Sequence, residues 1–87
     1  MNKIILEEVS SPGCQVCKAF EEWWHAGPAK DFPNVELQKI DMTTPAGQEM
    51  ISKHMIFASP GIIINGELFS TGGFDKKNLL EKLKSLS

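Results

Sequence analysis

Hydrophobic and polar positions along this chain switch between a two-residue and a three-to-four-residue period, and the switches mark out its elements. Lys3 to Ser10 is rich in Ile, Leu and Val and ends in the breaker cluster Ser10-Ser11-Pro12-Gly13, which predicts a strand. Its apolar residues run almost without a break, as in a strand covered on both faces. Glu7 and Glu8 interrupt the run. Because strand side chains alternate, one of them turns inward or toward a shielded edge, unless both reach water at the strand end. From Gln15 to about Ala26 the period changes: Val16, Phe20 and Trp23 or Trp24 recur at helical steps, with Lys18, Glu21 and Glu22 on the outer side. Cys17, Phe20 and Trp24 fall on one stripe, so Cys17 is expected to be shielded and Cys14 exposed at the preceding turn. Gly27-Pro28 closes this helix.

Asp31-Phe32-Pro33-Asn34 reads as a turn, and Val35 to Asp41 as a second strand with Val35, Leu37 and Lys39 opposed to Glu36, Gln38 and Ile40. Thr44 is a candidate N-cap, with Pro45 in the first turn of a helix running to about His54. Ile62 to Ile64 is a short buried strand. Asn65-Gly66 then signals a type I′ hairpin returning through Glu67 to Thr71. After Gly72-Gly73, Asp75 caps a last helix to about Leu86, with Leu79, Leu80, Leu83 and Leu86 inward and Phe74 placed to staple its start. The order is β-α-β-α-β-β-α. Right-handed crossover makes the first two strands parallel and the hairpin makes the last two antiparallel. The expected fold is α/β: a four-stranded mixed sheet with helices on both faces, in one domain spanning 1–87.

Both cysteines of the chain stand in Cys14-Gln15-Val16-Cys17, at the junction of the first strand and helix. Side chains three apart on a helix originate about 5–6 Å from each other, close to the separation of a disulfide. The helix N-terminus offers unpaired N–H groups and partial positive charge, which favour a thiolate, the form that attacks disulfides. These features point to dithiol–disulfide exchange with Cys14 attacking and Cys17 resolving. A two-cysteine pair at this spacing is also compatible with binding a soft metal ion. A closed zinc site needs two more ligands, and neither His25 nor His54 is near the pair in sequence.

Composition narrows the partners. Nine Lys and Arg against eleven Asp and Glu give a net charge of −2 with no long basic run, which argues against nucleic acid. The apolar runs are too short for a membrane span, and Met1 to Val9 makes a poor signal peptide because Ile4-Ile5-Leu6 stops at Glu7-Glu8. The expectation is a cytoplasmic monomer.

Several separated features, in order, resemble the thioredoxin superfamily and its small, glutaredoxin-sized members. They are the strand into Cys14-Gln15-Val16-Cys17-Lys18, Phe32-Pro33-Asn34-Val35 leading to Asp41, Ser59-Pro60 before Ile62-Ile63-Ile64, Asn65-Gly66-Glu67, and Gly72-Gly73 before the last helix. The resemblance implies a protein disulfide oxidoreductase without a bound organic cofactor. It implies that Pro60 is a cis-proline facing the cysteines, that the backbone of Ser59 pairs with a bound substrate strand, and that Pro12-Gly13 and Met55 to Ser59 complete the rim. It also implies a buried acid at Glu8, as general base toward Cys17. Protein disulfides would be the substrates, and a thioredoxin-reductase-like protein or glutathione the electron donor.

The chain also departs from its relatives. Gln15-Val16 replaces the Gly-Pro usual in thioredoxins and the Pro-Tyr usual in glutaredoxins, and Gly13 stands where thioredoxins carry tryptophan. The lysine that glutaredoxins often place before the first cysteine is missing from Ser10-Ser11-Pro12, yet Gly72, Gly73 and Asp75 resemble a glutathione-contacting segment. A glutathione-dependent protein therefore stands as an alternative, as does a soft-metal carrier. Such carriers usually have the order β-α-β-β-α-β, unlike this chain.

Overall fold

The computed structural model describes residues 2–87. Its strands are β1 (Ile4–Ser10), β2 (Val35–Asp41), β3 (Gly61–Ile64) and β4 (Glu67–Thr71). Its helices are α1 (Gln15–Ala26), α2 (Pro28–Asp31), α3 (Pro45–His54) and α4 (Lys76–Leu86). The sheet order is β2-β1-β3-β4, with β1 parallel to β2 and the other two pairings antiparallel. Among the described residues no helix is long and apolar enough to cross a membrane.

The alternation within β1 sorts its residues onto two cores. Ile4 and Leu6 face α1 and α4, where they are buried with Phe20, Trp24, Leu79 and Leu83. Val9 faces the opposite side and packs with Ile56 and Ile63, against Met50 and Ile51 of α3. Helices therefore lie on both faces, and β3 is buried along its whole length while β1 is half-buried at Ile5 and Glu7. Phe74 reaches across to α1: its ring lies 5.0 Å from Phe20 and 5.5 Å from Trp23, so it ties the two helices of that face together.

The tight turns follow from residue chemistry. Asn65 and Gly66 take φ of 48° and 84°, as a type I′ hairpin requires. The Asn65 side chain also accepts from the Ile5 N–H at 2.9 Å, while its own N–H donates to the Ile5 carbonyl. This stitches the hairpin tip to β1. Thr44 caps α3 by accepting from the Gly47 N–H at 3.1 Å. Gly47 lies against the Asp41 carbonyl, and a Cβ there would overlap it. Near the chain ends, the Asn34 side-chain amide donates to the Asn2 carbonyl at 2.6 Å and to the Ser87 hydroxyl at 3.2 Å, and Asn2 donates to the Leu86 carbonyl.

Three expectations need correction. Pro28 does more than end α1: it opens the short helix α2, where its missing N–H costs nothing at the first helical position. Val16 is 41% exposed, because it precedes the stripe of Cys17, Phe20 and Trp24 that α1 turns inward. Glu21 is half-buried and does not lie on the solvent face.

Candidate active site

The loop after β1 delivers the cysteine pair to the end of the sheet. Gly13 has φ +73°, a conformation that an L side chain rarely adopts, and the chain there turns into α1. Cys14 is the N-cap of α1, and its Sγ accepts from the Cys17 N–H at 3.1 Å. One turn on, Cys17 is 2% exposed and packs inward with the helix stripe, whereas Cys14 is half-buried. The two are joined as a disulfide with Cα atoms 5.3 Å apart. The positions differ in the way exchange chemistry requires: an accessible sulfur held by a helix-end N–H and a shielded one beneath it.

The segment before β3 lies against this loop. The Ser59–Pro60 bond is cis. The Ser59 hydroxyl is 2.8 Å from that of Ser11, which ties the proline segment directly to the cysteine loop. Thr71 shapes the same segment, since its hydroxyl oxygen accepts from the N–H groups of Phe57 and Ala58 and its O–H donates to the Ala58 carbonyl. This arrangement leaves Phe57 83% exposed and Met55 67% exposed.

Near the end of β1 that leads into the cysteine loop, Glu8 is fully buried on the strand face that also carries Ile4 and Leu6. Lys39 is its partner in the parallel register with β2, and the Lys39 Nζ lies 3.2 Å from Glu21 of α1. Burial is the main cause that pushes the Glu8 carboxyl from 4.5 up to about 8; a hydrogen bond with Glu21 and that residue's charge add to it, and Lys39 opposes it. A cavity of about 280 Å³ opens beside the disulfide and is lined by Ser10, Cys14, Cys17, Lys18, Glu21 and Lys39, among others.

Residues 5–85 match the family model described as a thioredoxin domain. The chain belongs to the thioredoxin family. With its Cys14–Cys17 disulfide, this thioredoxin-family protein is a thiol–disulfide oxidoreductase. A search of curated proteins finds no match. Solved structures agree on the fold. Fasciola hepatica thioredoxin is 21% identical, with a TM-score of 0.75 over 99% of this chain and 83% of its own. A poplar thioredoxin h is 20% identical, with a TM-score of 0.73 over 98% of this chain and 77% of its own. A chain from the complex of ferredoxin:thioredoxin reductase with thioredoxin f2 is 15% identical, with a TM-score of 0.73 over 98% and 78%.

Within the thioredoxin frame, the residues singled out from sequence divide into two groups. Cys14, Cys17, Gly13, Ser59 and Pro60 come together at one end of the sheet, and Glu8 is buried within β1. Gly72, Gly73 and Asp75 are engaged within the fold. The Gly72 N–H lies 3.0 Å from the carbonyls of both Ala58 and Pro60, the Gly73 carbonyl accepts from Ser70, and both Asp75 carboxylate oxygens accept from Asn78. His25 is exposed on α1, and neither it nor His54 lines the cavity beside the cysteines. Sequence reasoning missed Ser11 and the joint placement of Glu21 with Lys39. Glu21 follows Cys17 by four residues, a signal that it shares a helix face with the cysteine.

Proposed function

We propose that this thioredoxin-family protein reduces disulfides of other proteins, with Cys14 as nucleophile and Cys17 as resolving thiol. The observation that carries the reading is the asymmetry of the pair: Cys14 caps α1 with its sulfur on the Cys17 N–H, while Cys17 is buried. In the reduced protein that N–H and the helix end stabilise a Cys14 thiolate. The thiolate attacks a substrate sulfur, one substrate thiolate departs, and a Cys14–substrate disulfide forms. Cys17 then attacks Cys14, which closes the protein's own disulfide and releases the second substrate thiol. Glu8 serves as base toward Cys17.

The groove on this reading is Gly13 with Ser59 and Pro60, flanked by the exposed Phe57 and Met55, which suit an extended polypeptide with apolar residues beside its cysteine. The internal engagement of Gly72, Gly73 and Asp75 favours protein disulfides over glutathione as substrate. The electron donor is proposed to be a reductase of the thioredoxin-reductase kind, in line with a structural neighbour seen with ferredoxin:thioredoxin reductase. The compartment is proposed to be the cytoplasm and the working state a monomer.

Trapping tests the assignment. Cys17→Ser should accumulate a covalent adduct with a protein disulfide that dithiothreitol releases, and Cys14→Ser should form none. An adduct on Cys17 with Cys14 removed would reverse the roles. Equilibration with a glutathione buffer gives the direction: a midpoint near −270 mV fits a reductant, and one well above −200 mV fits an oxidant or isomerase.

A further inference from the structure

Glu8 has no polar partner in its ionised form: both carboxylate oxygens are buried without a donor. A neutral Glu8 has one proton to donate, and the carboxyl brought to its side is Glu21, 3.2 Å from the Nζ of Lys39, the residue that pairs with Glu8 in the register of β1 and β2. Glu21 stands one helical turn beyond Cys17, and its side chain is 26% exposed and pinned by Lys39 at 3.2 Å. The cavity beside the disulfide is lined by Cys17, Glu21 and Lys39 together. Glu21 thus has a buried carboxyl on one side and an opening to water on the other. We infer that Glu8 and Glu21 form a proton-sharing pair, held by Lys39, that carries the proton of Cys17 between the buried layer and that cavity.

The inference rests on the disulfide-exchange reading and answers a difficulty within it. A base must be empty to accept a proton, and a carboxyl that stays protonated at neutral pH is not. Passing the Glu8 proton to Glu21 empties Glu8. Glu8 then takes the proton from the Cys17 thiol as the Cys17 sulfur attacks Cys14. The Cys14–Cys17 bond forms and the bond from Cys14 to the substrate sulfur breaks. The electron pair leaves on the substrate sulfur, which is protonated from water, while Glu21 releases its proton to the cavity. Over both steps the two cysteine thiols lose two electrons and the substrate disulfide gains them. The groups facing Glu8 fit this role. Glu21 comes from α1, one turn beyond Cys17, and Lys39 from β2, while the partner on β3 is the apolar Ile62 and the α4 residues on this face are Leu79 and Leu83. Glu21 is accordingly a positioning and relay residue for Glu8.

The test reads the Glu8 carboxyl by carbon-13 NMR, assigned from its loss in Glu8→Gln, in the full-length protein. In parallel, single-turnover reaction of the reduced protein with a chromogenic aryl disulfide gives the pH profiles of attack and resolution separately. Glu21→Gln should move the Glu8 midpoint and the resolution profile to lower pH by about one unit, the usual size of a neighbouring-charge effect. Lys39→Met should move both upward, which keeps the test open if one variant folds poorly. Glu22→Gln, on the exposed side of the same helix, should move neither. Midpoints in Glu21→Gln and Lys39→Met that match wild type would overturn the inference. Absence of any exchange by the wild-type protein would instead overturn the underlying function, while the NMR midpoints still decide the carboxyl pair on their own.

Discussion

A glutamate in a strand otherwise made of Ile, Leu and Val is the residue whose placement matters most here. The raised Glu8 carboxyl makes stability depend on pH, and the sign follows from linkage. The unfolded chain sheds this proton near 4.5 and the folded one holds it to about 8, so rising pH through that window favours unfolding. At about 1.4 kcal/mol per unit, up to a few kcal/mol is lost between those limits. Denaturant unfolding should show wild type losing stability relative to Glu8→Gln from pH 5 to pH 8; parallel curves would contradict the burial argument. Phe57 supports the opposite kind of expectation. At 83% exposure its removal costs the fold little, so Phe57→Ser should leave the melting temperature within about 2 °C of wild type. The same change should raise KM for a protein disulfide several-fold and leave the rate with a small aryl disulfide unchanged. Equal effects on both substrates would place Phe57 outside the docking surface.

Among the elements, α3 shows how a single missing methyl sets a helix in place. Gly47 sits in its first turn, where the helix meets the Asp41 carbonyl too closely for any Cβ. Gly47→Ala should therefore destabilise the protein by about 1–3 kcal/mol despite alanine's better helix propensity. A urea midpoint at or above wild type would show that the backbone yields without penalty. Thr44 and Pro45 announced the start of this helix in the sequence, because capping is local chemistry. The Asn65-Gly66 turn and the C-x-x-C junction were legible for the same reason. Helix α2 was hidden, since a four-residue segment is too short to show a period. The inward turn of Glu21 was hidden too: its contact with Lys39 depends on how α1 crosses β2, which no local pattern encodes. Glu8 lay between these cases. Alternation showed that one of two glutamates had to turn inward, and the register with β2 was needed to say what waited there.

For the molecule as a whole, two cores separated by one sheet mean that a cavity on one face need not be felt on the other. Ile63 is fully buried with Val9 and Ile56 in the core under α3, and Ile63→Ala should cost about 2–5 kcal/mol. The redox midpoint should stay near the wild-type value while folding persists, because α1, which carries Cys17, is seated on the other core through Phe20 and Trp24. A shifted midpoint would show that the cores are coupled. The hydrogen bonds joining Asn2, Asn34, Leu86 and Ser87 carry a further consequence. They gather both ends of the described chain beside the start of β1, while the cysteines follow its far end, seven residues and about 20 Å away. A short peptide joining Ser87 to Asn2, with new ends cut at the Asn65-Gly66 tip, should give a circularly permuted oxidoreductase. Anchored by the joined pole to a bead or an electrode, such a protein would hold its reactive face toward the solution.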